Sequence, residues 1–176
     1  MKPALDRRAL LNTLGVAAGV ALAASVAPSV IRDASAQQAP TPYGAPITLD
    51  AAKKAMAAAE AEAAKNNWPV AIAIVDTTGS LAMLVKRDNT QTASVEIAIG
   101  KARTALDFRR PTKALQDTVA GGGAGMRLLS LRGAFLLEGG VPIIIGDKIA
   151  GAIGVSGVTS EQDAQVAMAG AAAAKA

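Results

Sequence analysis

The chain has 176 residues, 51% hydrophobic and only 2% aromatic, with a formal net charge of +4 at pH 7 and neither cysteine nor histidine. Thiolate nucleophiles, Cys/His zinc centres and Ser-His-Asp relays are thereby excluded. Tyr43, Trp68, Phe108 and Phe135 are the only aromatic residues and there is no basic run, so nucleic-acid binding has no support, and a core has to come from Val, Ile, Leu and Met packed tightly on Ala and Gly.

Residues 1–36 read as a twin-arginine-type export signal. Arg7 and Arg8 precede Ala9-Leu10-Leu11, an apolar stretch follows, and Ala34-Ser35-Ala36 supplies a small-residue cleavage site before Gln37. The expected destination is periplasmic or secreted, with no stable membrane anchor after cleavage, because Gly15, Gly19, Ser25, Pro28 and Ser29 weaken the apolar run as a span. This segment carries Lys2, Arg7, Arg8 and Arg32 against Asp6 and Asp33, so part of the basic balance belongs to it.

Residues 37–46, rich in proline and without apolar period, predict an extended linker or arm, and residues 47–176 a single domain. Thr48 is placed to cap a helix whose stripe is Leu49, Ala52, Met56, Ala59 and Ala63, with Asn66 and Asn67 at its end. After Trp68-Pro69, Val70, Ile72 and Ile74 alternate with Ala71 and Ala73. With DTTGS as a turn, residues 70–87 predict a β-hairpin having one bulky and one small face. DNTQT then leads into a helix lined by Val95, Ala98, Ile99, Ala102 and Leu106, which ends before Pro111. A short helix over 112–120, a flexible bend at GGGAG and the segment MRLLSLRG follow.

GGVPIIIGDKIAGAIGVSG, residues 139–157, is rich in glycine but matches neither G-x-x-x-x-G-K-[ST] nor G-x-G-x-x-G between strand and helix. It predicts two strands about Gly146-Asp147, with Ile149, Ile153 and Val155 on one face and Ala150, Ala152 and Gly154 on the other. A small face admits a closely packed helix. The last helix, from Ser160 and Asp163 at capping-box spacing through Ala164, Ala167, Met168 and Ala171, is the expected occupant.

Three segments together, AIAIVDTTGSLAMLVKRD, EIAIGKARTA and GGVPIIIGDKIAGAIGVSGVTSEQD, resemble the GlcG/HbpS family of haem-binding and haem-degrading-like proteins, over about Ile47 to Gly170. The resemblance implies an α+β fold, an antiparallel sheet of about five strands sandwiched by helices, assembling into a homo-oligomer. It also implies haem as ligand or, alternatively, a place among proteins that oxidise small organic acids. The chain departs from the family pattern at Asn89-Thr90 and at Val158.

Without histidine, haem iron has no imidazole to meet. Met83 and Met126 are the candidate iron ligands by chemistry only, and the simpler role for both is to fill gaps in an alanine-rich core. Charge concentrates at Arg87, Asp88, Lys101, Arg103, Arg109 and Arg110, as propionates or another carboxylate would require, or as a solvated helix face would carry. Arg87, Asp88, Lys101 and Arg109 are the candidate ligand-binding residues. Glu161, Gln162 and Asp163 suit the positive end of the last helix. The leading expectation is an exported haem-binding protein that assists haem capture or degradation. Its alternatives are a protein that binds or processes a small carboxylate or hydroxy acid, with Lys101 or Asp88 moving a proton, and a ligand-free oligomeric accessory protein.

Overall fold

A computed structural model describes residues 39–175; the export signal read in residues 1–36 lies outside the described residues, as do Gln37 and Gln38 at the start of the arm. The alternating segments form four strands, β1 (Ala71–Asp76), β2 (Leu81–Lys86), β3 (Gly140–Ile145) and β4 (Lys148–Ser156). They make one antiparallel sheet in the order β2-β1-β4-β3, two hairpins joined through their inner strands. The expected count of about five becomes four. In place of a fifth strand, Tyr43 in the arm bridges Ile149 in parallel, and Ile149 and Ala150 bond to the backbone of Pro42, Gly44 and Ile47 just past the end of the β1 pairing.

The register sorts side chains by size. Ile72 lies opposite Val155 and Ile74 opposite Ile153, whereas Ala71 meets Ser156 and Ala73 meets Gly154. The bulky face packs against α1 (Leu49–Lys65) and α4 (Ser160–Ala173), which also pack on each other. The small face receives α2 (Ser94–Asp107). The close-packing helix is therefore α2 and not the last helix: a Cβ on Gly154 would strike the carbonyl oxygen of Ala98 and stand 2.5 Å from the amide nitrogen of Ala102. The alanines of α4 face Ile153 and Val155 instead, so large strand residues fill the space that small helix residues leave.

One alternation differs from expectation. The pairing shifts between Ile143 and Ile144, leaving Ala150 as an extra residue, so Ile149 joins the α2 side with Ala152 while Ala150 joins Ile153 and Val155. A bulge inserts one residue and reverses the faces beyond it.

Thr48 caps α1, its Oγ1 accepting from the Ala51 amide at 3.2 Å. Ala52, Met56, Ala59 and Ala63 are buried as the stripe predicts, but Leu49 stays 57% exposed. At α4 the capping box belongs to Thr159 and Gln162, one residue earlier than Ser160 and Asp163. Asp163 is thereby released from the cap. The short helix α3 (Thr112–Ala120) forms as read, and the expected bend becomes a 3-10 helix over Gly123–Ser130.

Gly154→Ala is expected to destabilise the fold by about 1–3 kcal/mol through overpacking against backbone that has no rotamer to yield, and Gly154→Val by more. Urea denaturation midpoints at constant slope measure both.

Candidate functional site

The pairing of Gly140 with Gly154 places the start of β3 beside α2, where a Cβ on Gly140 would meet the carbonyl of Lys101. The Lys101 side chain ends beside Gly139, the residue before Gly140. Its Nζ donates to Asp163 Oδ2 at 2.8 Å and to the Val155 carbonyl at 3.0 Å. The two side chains are 2% and 3% exposed. Asp163 Oδ1 accepts from the Val158 amide at 3.2 Å. A Cβ on Gly139, whose φ is +123°, would stand 2.8 Å from both Lys101 Nζ and the Val155 carbonyl oxygen. The double glycine gives passage to a buried ammonium, and Thr112 closes the same corner with its Oγ1 accepting from the Gly140 amide at 2.9 Å.

Burial pushes the Asp163 carboxyl above its usual range, against the opposing pull of the Lys101 ammonium and of the Val158 and Gly157 amides. A buried pair of this kind ties elements together but gains little net stability from charge alone, because desolvation offsets attraction. Here it joins α2, β4 and α4. Lys101, expected among the ligand-binding residues with Arg87 and Asp88, is thus enclosed and apart from them.

Arg87 and Asp88 line a different place, an open pocket of about 520 Å³. Glu60, Asn67 and Trp68 at the end of α1 form one wall, and Lys86 through Asn89 at the end of β2 form the other. Asn67 and Asn89 both hold left-handed backbone, at φ 56° and 62°, as the two tight connections require. Nη1 of Arg87 is buried without a hydrogen-bond partner.

Arg109 is in neither place. Its guanidinium carbon lies 5.5 Å from the centroid of the Tyr43 ring, a cation–π contact, while the Tyr43 hydroxyl donates to the Leu106 carbonyl at 2.8 Å. These contacts fasten the arm to the end of α2. Met83 packs half-buried on the bulky face of the sheet beside the main core. Met126 is 48% exposed on the 3-10 helix.

That 3-10 helix borders an apolar cleft of about 510 Å³. Val119 of α3, Leu128, Leu129 and Leu131, and then Phe135 and Leu137 line it. Phe135 is held from below, since its ring packs where a Cβ on Gly100 would lie and its amide donates to Thr104 Oγ1 at 2.8 Å. Sequence reasoning on charge and methionine missed this cleft, although LLSLRGAFLL spells out its wall. It also missed Trp68 and Glu60. Among the described residues no group of three or more His, Cys, Asp or Glu is placed to hold a metal ion, and no helix is long and apolar enough to cross a membrane.

A family model described as haem degrading protein HbpS-like matches residues 47–172. Protein GlcG of Escherichia coli (strain K12) is 44% identical over 110 residues, 62% of this chain and 81% of GlcG. The crystal structure of HbpS superposes with a TM-score of 0.67 at 34% identity, covering 73% of this chain and 90% of that one. A crystal structure titled as the PduOC:heme complex gives a TM-score of 0.67 at 27% identity, covering 73% of this chain and 94% of that one.

Lys101→Met leaves Asp163 buried without its cation and is expected to cost about 3–5 kcal/mol at pH 7. A carboxyl with its folded pKa above the usual 3.8 gains stability for the fold as pH falls through the folded value. The penalty of Lys101→Met therefore shrinks on acidification toward that range, and Lys101→Met/Asp163→Asn recovers much of it at pH 7. Denaturation at pH 7 and pH 5 reads all three.

Proposed function

Since the chain belongs to the HbpS-like family, we propose that it is an exported haem-binding protein serving haem capture or breakdown. The observation that carries this reading is the apolar cleft beside the 3-10 helix, whose leucines, valine and phenylalanine suit the face of a porphyrin. The similarity to a heme-complexed neighbour supports it. Arg127 and Arg132 flank the leucines of the cleft in sequence and suit the propionates. Met126, on the same 3-10 helix as Leu128 and Leu129, suits the iron better than Met83, which is engaged in core packing. Haem, when bound, supplies redox-active iron; the chain's part is to hold and orient the ring and shield it from water.

Self-association belongs to the same reading. Leu81 and Leu84 on edge strand β2 are 43% and 38% exposed, apolar area that a second copy would cover. Export through the signal read in residues 1–36 sets the working place as the periplasm or beyond.

Hemin titrated into the chain lacking residues 1–36 is expected to give a shifted, saturable Soret band. Leu129→Lys, on the exposed rim of the cleft, weakens binding by about tenfold or more, roughly 1.4 kcal/mol, and Met126→Leu keeps binding while altering the visible spectrum. No saturable binding rejects the reading. Decay of the bound Soret band with a reductant, accompanied by iron release, tests degradation separately.

A further inference from the structure

The pocket between the end of α1 and the β2–α2 connection stands apart from the apolar cleft and carries polar groups of both signs. Among the described residues Arg87 makes no ion pair, although Glu60 and Asp88 line the same pocket. Its Nη1 is sealed from solvent with no acceptor. Among the described residues the other two buried side-chain polar atoms without partners are the hydroxyl of Thr90, in the same connection, and that of Ser94, the first residue of α2. A guanidinium nitrogen buried without an acceptor is a costly arrangement.

The lining chemistry selects a ligand class. Arg87, Lys86, Asn67, Asn89 and the Trp68 indole present donors, and Glu60 and Asp88 present acceptors. A neutral ligand gives the Arg87 charge no counter-ion, and one that only accepts hydrogen bonds leaves Glu60 and Asp88 facing it without a donor. A small carboxylate bearing a hydroxyl answers both signs. Its carboxylate accepts from the guanidinium nitrogens of Arg87 other than the sealed Nη1, its hydroxyl donates to Glu60 or Asp88, and its carbon chain rests on Trp68, Pro69 and Val85.

The geometry points to a binding site for a small hydroxycarboxylate in this pocket, independent of the haem reading.

Trp68 is the only tryptophan in the chain, so its fluorescence reports on this pocket alone. Malate and succinate, which share a carbon chain and differ by one hydroxyl, are titrated against the purified protein, with inorganic phosphate as a third probe. Malate is expected to change the emission saturably and to bind at least fivefold more tightly than succinate, with phosphate weaker than both. Arg87→Gln weakens malate at least tenfold, Arg87→Lys restores part of the loss, and Arg109→Ala leaves binding unchanged. Glu60→Gln, which removes a hydroxyl acceptor and one repelling charge, narrows the preference for malate over succinate while succinate tightens. Circular dichroism confirms that each variant is folded. Equal binding of malate and succinate, preference for phosphate, no saturable response to any probe, or a folded Arg87→Gln that binds malate as the parent does overturns the proposal.

Discussion

The closeness of α2 to the small face of the sheet is the constraint on which the other features rest. It exists because Gly154 presents no side chain to Ala98 and Ala102, and because Ala71 and Ala73 continue the low surface along β1. Dispersion falls steeply with distance, so a helix seated on alanine and glycine recovers by proximity what it lacks in side-chain volume. At that depth the Lys101 backbone lies against Gly140, and its ammonium lies beside Gly139 and reaches Asp163 on the opposite helical layer. One close approach thereby links the two layers through a charged pair as well as through the sheet.

The same economy explains where ligand surfaces remain. The interior is built from small residues with few polar atoms left over, and the unmet groups among the described residues fall in the β2–α2 connection and at the first residue of α2. Large exposed apolar side chains gather in the 3-10 helix and its neighbours, where Leu129 is 60% and Leu137 47% exposed. Binding surfaces of two chemistries thus sit on connections, held by elements whose own packing is finished.

Much of the architecture was legible in the sequence because periodicity reports directly on which side is buried. Ile72 and Ile74 against Ala71 and Ala73 gave both β1 and the two unlike faces of the sheet. What periodicity conceals is any one-residue event. The bulge at Ala150 turned Ile149 to the other layer, and the cap at Thr159 in place of Ser160 freed Asp163 to turn inward. The candidate site was less legible still. Arg87 and Asp88 share a pocket, as neighbours at a strand end do, but Lys101 and Arg109, grouped with them as candidates, lie elsewhere, and charge carries no information about direction. Lysine in a helix reads as surface by default; only its carboxylate partner, 62 residues away in sequence, reverses that.

The arm has a bearing on how much trimming the domain tolerates. Pro42, Gly44 and Ile47 occupy the backbone groups of Ile149 and Ala150, and Tyr43 occupies a carbonyl at the end of α2. An exopeptidase that halts at Pro40 leaves all of these partners in place. One that proceeds through Ile47 bares a raw margin of β4 and frays the last turn of α2 at the same stroke, so the boundary between dispensable tail and indispensable fold falls inside the proline-rich stretch rather than at its end.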